Sequence, residues 1–227
     1  RKFPIPTMRA ILKKLARSTG IYHPLLYWSR KWRHDRDYGR WLASGRPPPR
    51  PHGAKQQTLL DYAERYNLRI LVETGTFYGD MVHAMKSRFD RIYSIELSPE
   101  LWREAASGFA RYRHIEIIHG DSTIELEKLV KEIERPAMFW LDGHYSMGVT
   151  ALGEKETPIM EELVHVFSSP VAGHVILIDD ARCFGRNKDF PSLEELQDFV
   201  TRQSPHSHFE VGDDIIRITP GVPTPAR

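Results

Sequence analysis

The sequence predicts an α/β fold: a doubly wound, mostly parallel sheet with helices on both faces, finished by a C-terminal antiparallel hairpin. Three observations carry this expectation. From residue 56 onward, short apolar runs alternate with stretches of helical periodicity. The runs, such as Val175–Ile178, are solidly apolar, as strands covered on both faces must be. The last two runs, His208–Val211 and Ile215–Thr219, flank Gly212-Asp213-Asp214, a hairpin turn signal.

The elements follow in order. Gln56–Tyr66 places Leu59, Leu60, Ala63 and Tyr66 on one side of a helix. Arg69–Glu73 is a short buried strand, followed by a glycine-containing loop, Gly75–Gly79, and a helix over Asp80–Arg88. Arg91–Glu96 is the second strand. Ser98-Pro99-Glu100 then opens a helix, with serine as N-cap, proline in the first turn and an acid near the positive dipole end. His114–His119 is the third strand, Ser122–Glu134 a helix and Ala137–Leu141 the fourth strand. Asp142–Glu156 is a long loop with three glycines, read as a lid over a substrate. Thr157-Pro158 opens a helix to about Phe167, His174–Ile178 is the fifth strand, and Ser192–Arg202 the last helix.

Charge divides the chain. Residues 1–55 hold 14 Lys/Arg against 2 Asp/Glu, while the remainder is acidic by ten charges, which gives +2 overall. The basic head begins with a helical stripe, Met8, Ile11, Leu12, Leu15 and Ala16, continues through Tyr27, Trp28, Trp32, Tyr38 and Trp41, and ends in Arg46-Pro-Pro-Pro-Arg-Pro51. The domains are therefore a helical, aromatic extension over 1–55 and a body over 56–227. The head is expected to dock on its acidic body or a partner subunit. A second reading attaches its first helix to an anionic membrane surface, and nucleic acid ranks last because no such module is present. Cys183 is the one cysteine, so no internal disulfide forms, and no apolar run reaches the ~20 residues a membrane span needs. The expected location is the cytoplasm, with contact to a membrane surface through the basic helix. Oligomeric state is left open.

In an open parallel sheet, ligands bind at the carboxyl ends of the strands. Glu73-Thr-Gly-Thr-Phe-Tyr-Gly79 follows the first strand. A carboxylate there repels a pyrophosphate but suits a ligand with a positive centre, and together with Phe77 it breaks the nicotinamide fingerprint. Glu96, 23 residues on, stands where an acid accepts hydrogen bonds from ribose hydroxyls. Asp121 either faces an adenine amino group or caps the next helix. Asp142 and the pair Asp179-Asp180 end the fourth and fifth strands. They read either as ligands for a divalent cation, Mg²⁺ by their oxygen donors, or as a cap and surface acids.

These motifs together resemble the class I S-adenosylmethionine-dependent methyltransferases, and within them the metal-dependent O-methyltransferases of the catechol, caffeoyl-CoA and macrocin-type sugar groups. The run Asp179-Asp-Ala-Arg-Cys-Phe-Gly185 matches the sugar group in having Asp at its second position. The resemblance covers about residues 56–219 and implies a Rossmann-like, seven-stranded sheet. It implies that Gly75, Thr76 and Gly79 line the methionine part of the cofactor, with Glu73 near its ammonium, Glu96 on the ribose, and Asp121 and Ser122 at the adenine. It implies Mg²⁺, or another divalent cation, at Asp142, Asp179 and Asp180, and a catalytic base at His144, with Tyr145 as the alternative. The Lys that the catechol and caffeoyl groups carry near the first metal ligand is missing, which points to a sugar or other small polyhydroxyl acceptor. Two other functions compete: a metal-independent methyltransferase on RNA or protein, and a non-catalytic cofactor-binding or membrane-associated module.

Overall fold

The computed structural model describes residues 22–143, 157–186 and 189–221, with side chains from Tyr27 onward. Two helices precede the sheet: α1 (Tyr22–Ala43) and α2 (His52–Arg65). Then follow β1 (Ile70–Thr74), α3 (Asp80–Met85), β2 (Arg91–Glu96), α4 (Pro99–Phe109), β3 (Ile115–His119), α5 (Ser122–Glu132) and β4 (Met138–Leu141). The chain closes with α6 (Ile159–Phe167), β5 (Val175–Ile178), a 3₁₀ turn (Ala181–Cys183), α7 (Leu193–Gln203), β6 (Ser207–Gly212) and β7 (Ile215–Pro220).

The seven strands lie in the order β3-β2-β1-β4-β5-β7-β6. The first five are parallel, and β7 runs antiparallel between β5 and β6. The order reverses between β1 and β4, so a crevice opens at their carboxyl ends, where Thr74 lies opposite Leu141.

Strand alternation divides the core between the two faces. Phe139 and Leu141 of β4 join Val72, Leu126 and Leu163 on one face. Met138 and Trp140 join Leu59, Leu71, Met85 and Leu177 on the other. Phe139 and Trp140 are fully covered, so truncating either to Ala would cost about 3–5 kcal/mol. With both faces apolar, β1, β4 and β5 are buried throughout.

Local chemistry sets the helix starts. Ser98 caps α4 ahead of Pro99, Asp121 caps α5, and Ser192 with Glu195 forms a reciprocal capping box on α7. In the final hairpin Gly212 pairs with Ile215, so the turn is only Asp213-Asp214. Both residues have positive φ (51° and 65°), as a type I′ turn requires.

From Tyr22 to Ala43 the head is helical, as the sequence predicts. The aromatic, basic stretch is a single helix, α1, whose inner face carries Tyr27, Arg30, His34, Tyr38 and Trp41. It packs on α2 and α3. Arg30 Nε donates to both carboxylate oxygens of Asp80 at 2.8 Å, His34 Nε2 lies 3.2 Å from the same group, and Tyr27 stacks on His83 at 4.3 Å. The Pro-rich segment folds back on this helix, where Pro47 carbonyl accepts from the Trp41 ring N–H at 2.7 Å. Because α2 begins at His52, the boundary expected at 55/56 falls inside a helix. The Met8–Ala16 helix proposed for a membrane surface lies outside the described residues.

Candidate functional site

The turn after β1 holds its shape for two reasons. Gly75 has φ +85°, and a Cβ there would sit 2.6 Å from the Asp142 carbonyl oxygen, so β1 and β4 can approach this closely only through glycine. Gly79, at φ +72°, leads into α3, and a Cβ on it would meet the Phe109 ring at 2.7 Å. Between them Phe77 adopts φ +50°, a strained conformation for a bulky side chain. Its N–H is held by Glu96 Oε2 at 2.8 Å.

Glu73 lies beneath this turn, 2% exposed. It accepts a short hydrogen bond from Ser94 Oγ, which is itself 2.6 Å from Thr76 Oγ1. Burial, joined by the charges of Asp142 and Glu96 and opposed by Ser94, pushes the Glu73 carboxyl up to about 8. Glu96 is buried at the end of β2, and its Oε1 accepts from Ser98 N at 2.9 Å. Burial raises its pKa too, against the two backbone N–H groups. Each carboxylate oxygen has a second lone pair, so Glu96 keeps acceptor capacity for a hydroxyl. A crevice in which buried acids are held above their ordinary pKa favours a positively charged ligand.

Asp121 serves as the cap of α5: its Oδ1 accepts from Thr123 N at 2.9 Å and Thr123 Oγ1 at 2.8 Å. Ser122, half-buried, begins that helix. Nearby is a carboxylate absent from the sequence reading. Glu162, 1% exposed on α6, is pushed up to about 7 by burial. A Cβ on Gly143 would stand 3.1 Å from both Glu162 Oε1 and Thr74 Oγ1, so these buried groups lie directly under the chain as it leaves β4. Neither atom has a hydrogen-bond partner of good geometry among the described residues. A polar ligand or water could satisfy both.

Asp179 and Asp180 end β5, as expected, and are buried. Asp180 has φ +55°, a left-handed conformation that Asp and Asn tolerate better than other side chains. Their partner is one that no sequence pattern signals. Lys55, on α2, places its ammonium against Asp179 Oδ2 and 3.5 Å from Asp180 Oδ1. The other oxygen of Asp179 accepts the Asp180 N–H at 2.8 Å. Arg182 Nη1 donates to Asp180 Oδ1 at 2.7 Å and also to Asp214 of the hairpin turn. Burial works against the Lys55 charge, but Asp179, Asp142 and Asp180 outweigh it and raise its pKa above the usual lysine value.

Among the described residues, no group of three or more His, Cys, Asp or Glu side chains is placed to hold a metal ion. Both Asp179 oxygens are engaged and its side chain is fully covered. Asp142, Asp179 and Asp180 as arranged here therefore do not fit a divalent cation. His144, Tyr145 and the rest of the loop read as a lid lie outside the described residues.

Solved structures share this architecture. The O-methyltransferase TomG from Streptomyces achromogenes, involved in tomaymycin synthesis and solved in complex with S-adenosylmethionine, superposes with a TM-score of 0.56 at 18% identity, over 82% of this chain and 89% of that one. The chain shares the fold of this methyltransferase. An O-methyltransferase from Bacillus cereus in complex with S-adenosylhomocysteine gives a TM-score of 0.53 at 16% identity, over 78% and 86% of the two chains. The S-adenosylhomocysteine-bound methyltransferase PaMTH1 of Podospora anserina gives 0.55 at 12% identity, over 98% and 100%. No family model and no curated protein matches the sequence.

Proposed function

We propose that the protein is an S-adenosylmethionine-dependent O-methyltransferase acting on a hydroxyl of a small polyhydroxyl substrate, such as a sugar or a glycosylated metabolite. The observation that supports this most is the pair of buried acids, Glu73 and Glu96, fixed around a left-handed glycine turn at the reversal point of the sheet. That setting favours a cationic nucleoside over a dinucleotide. The cofactor supplies a methyl group already activated on a positive sulfur.

The chain's residues then have separable tasks. Glu73, Gly75, Thr76 and Gly79 hold the amino-acid part. Glu96, pre-positioned by two backbone N–H groups, accepts from the ribose. Ser122 stands at the adenine side, while Asp121 fixes the start of α5. His144 takes the proton from the acceptor hydroxyl, with Tyr145 as the alternative base; an imidazole ordinarily titrates near neutral pH, which suits that task. The Mg²⁺ part of the expectation does not enter this reading, because Lys55 occupies the acids that would bind it. The RNA or protein alternative is weakened by the head, which spends Arg30, Arg50 and Lys55 on Asp80, Asp213 and Asp179 of the body.

A radiolabelled methyl donor incubated with a panel of sugars, glycosides, RNA and protein tests the proposal. Label on a small polyhydroxyl compound, lost in His144→Ala while donor affinity survives, is the expected result. Label only on RNA or protein would refute it.

A further inference from the structure

The Lys55 contact concerns the acceptor end of the site just proposed, and its interpretation rests on that reading for the site's location. Its geometry stands independently. An ammonium is a compact charge with three donors. Here it is 15% exposed and is carried by α2 to the carboxyl end of β5. It touches Asp179 and approaches Asp180, while Asp142 contributes to holding it charged. Arg182 neutralises the remaining acids by bridging Asp180 and Asp214. Each carboxylate of the β5 end thus already has a cationic partner supplied by the chain itself.

We infer that Lys55 is a built-in cation: it substitutes for a bound divalent ion at the ends of β4 and β5 and acts as a positioning residue for Asp179 and Asp180. Two buried, adjacent acids repel each other and resist desolvation. A resident positive charge relieves both problems whether it arrives on a metal or on a side chain. A side chain on α2 does so permanently, and it ties the basic entry segment to the catalytic end of the sheet.

Manganese titration followed by electron paramagnetic resonance tests this on the full chain, with and without S-adenosylhomocysteine. The wild type should show no stoichiometric Mn²⁺ site. Lys55→Met, which unmasks the acids, should bind one Mn²⁺ at least about tenfold more tightly than wild type, and Asp179→Asn in that background should abolish the gain. Lys55→Arg should still exclude Mn²⁺. One Mn²⁺ bound tightly by the wild type and lost in Asp179→Asn would overturn the inference, as would folded Lys55→Met that gains no affinity. The wild-type and Lys55→Arg arms decide the matter if Lys55→Met does not fold. Donor-product binding measured in the same samples separates the outcomes: its absence would refute the methyltransferase reading and leave the Lys55 result intact.

Discussion

Lys55 and Asp179, 124 positions apart in sequence, meet as a partly buried ion pair that joins α2 to the end of β5. The pair has a mechanical consequence besides its charge. It anchors the segment entering from α1 to the strand whose end carries the site. Removing one partner leaves a buried charge uncompensated, which costs about 3–5 kcal/mol. Urea unfolding of Lys55→Met should show a loss of roughly 3 kcal/mol. The double variant Lys55→Met/Asp179→Asn should lose clearly less than the sum of the two single changes. Strict additivity would mean that the two groups do not interact in solution.

At the proposed donor site, the Glu73 carboxyl, pushed up to about 8 by burial, predicts pH-dependent donor binding. Below that value the free protein carries a proton that a cationic ligand must expel. Affinity should therefore rise with pH, by up to about tenfold per unit, and level off above 8. Glu73→Gln should flatten the profile. Calorimetry in buffers of different ionisation enthalpy would detect the released proton directly, and its absence at pH 7 would remove Glu73 from the ligand's surroundings.

Glu162 affects stability in a defined direction. Its folded pKa, about 7, lies above the ordinary glutamate value, so between about pH 4.5 and 7 the folded state keeps a proton that the unfolded chain releases. Its contribution to stability therefore falls as pH rises through that window. Glu162→Gln should stabilise the protein by about 1–3 kcal/mol at pH 8 and change little at pH 4. Thermal melts of both proteins across the range would show the difference. A constant offset at every pH would contradict the assignment.

Gly75→Ala combines a positive φ with a Cβ 2.6 Å from the Asp142 carbonyl. A loss of about 2 kcal/mol or more is expected, together with weaker donor binding, because β1 and β4 must move apart. Gly173 also has positive φ, but its nearest neighbour would be 3.5 Å away. Gly173→Ala should therefore carry the backbone strain alone and leave binding unchanged. Equal binding defects in the two variants would place the effect in general destabilisation.

Arg30 holds α1 to the body through both oxygens of Asp80. Arg30→Ala should loosen that helix by about 1–3 kcal/mol and accelerate proteolysis within residues 44–51 without unfolding the sheet. Limited proteolysis with mass spectrometry gives the answer. Cleavage at the wild-type rate would show that α1 is held mainly by Tyr27 and Trp41.

The middle of the sheet was legible because β4 and β5 are pure apolar runs and β1 begins as one. Val175–Ile178 and Met138–Leu141 can satisfy water on neither face, and their ends were displaced by only a residue or so. Glu73, Glu96, Asp121 and Asp179 were found because each stands at or just past the carboxyl end of a strand. A helical head was expected, but the inner face of α1 was not legible. Its buried stripe is Tyr27, Arg30, His34 and Trp41, side chains that hide their stems while keeping polar ends, so an apolar periodicity count passes over them. Lys55 was missed for a different reason. The helix was expected to start at Gln56, and a lysine one residue outside it gives no hint of a carboxylate 124 positions away. Glu162 resembled an ordinary first-turn acid of α6, and only packing against Gly143 and Thr74 distinguishes it.

Calorimetric titration of the wild-type chain with S-adenosylhomocysteine, repeated on Glu96→Ala, tests the proposed donor site most directly. One site per chain is expected, weakened at least about tenfold when the Glu96 carboxylate is removed. No binding to the wild type, or equal binding to both proteins, would contradict it.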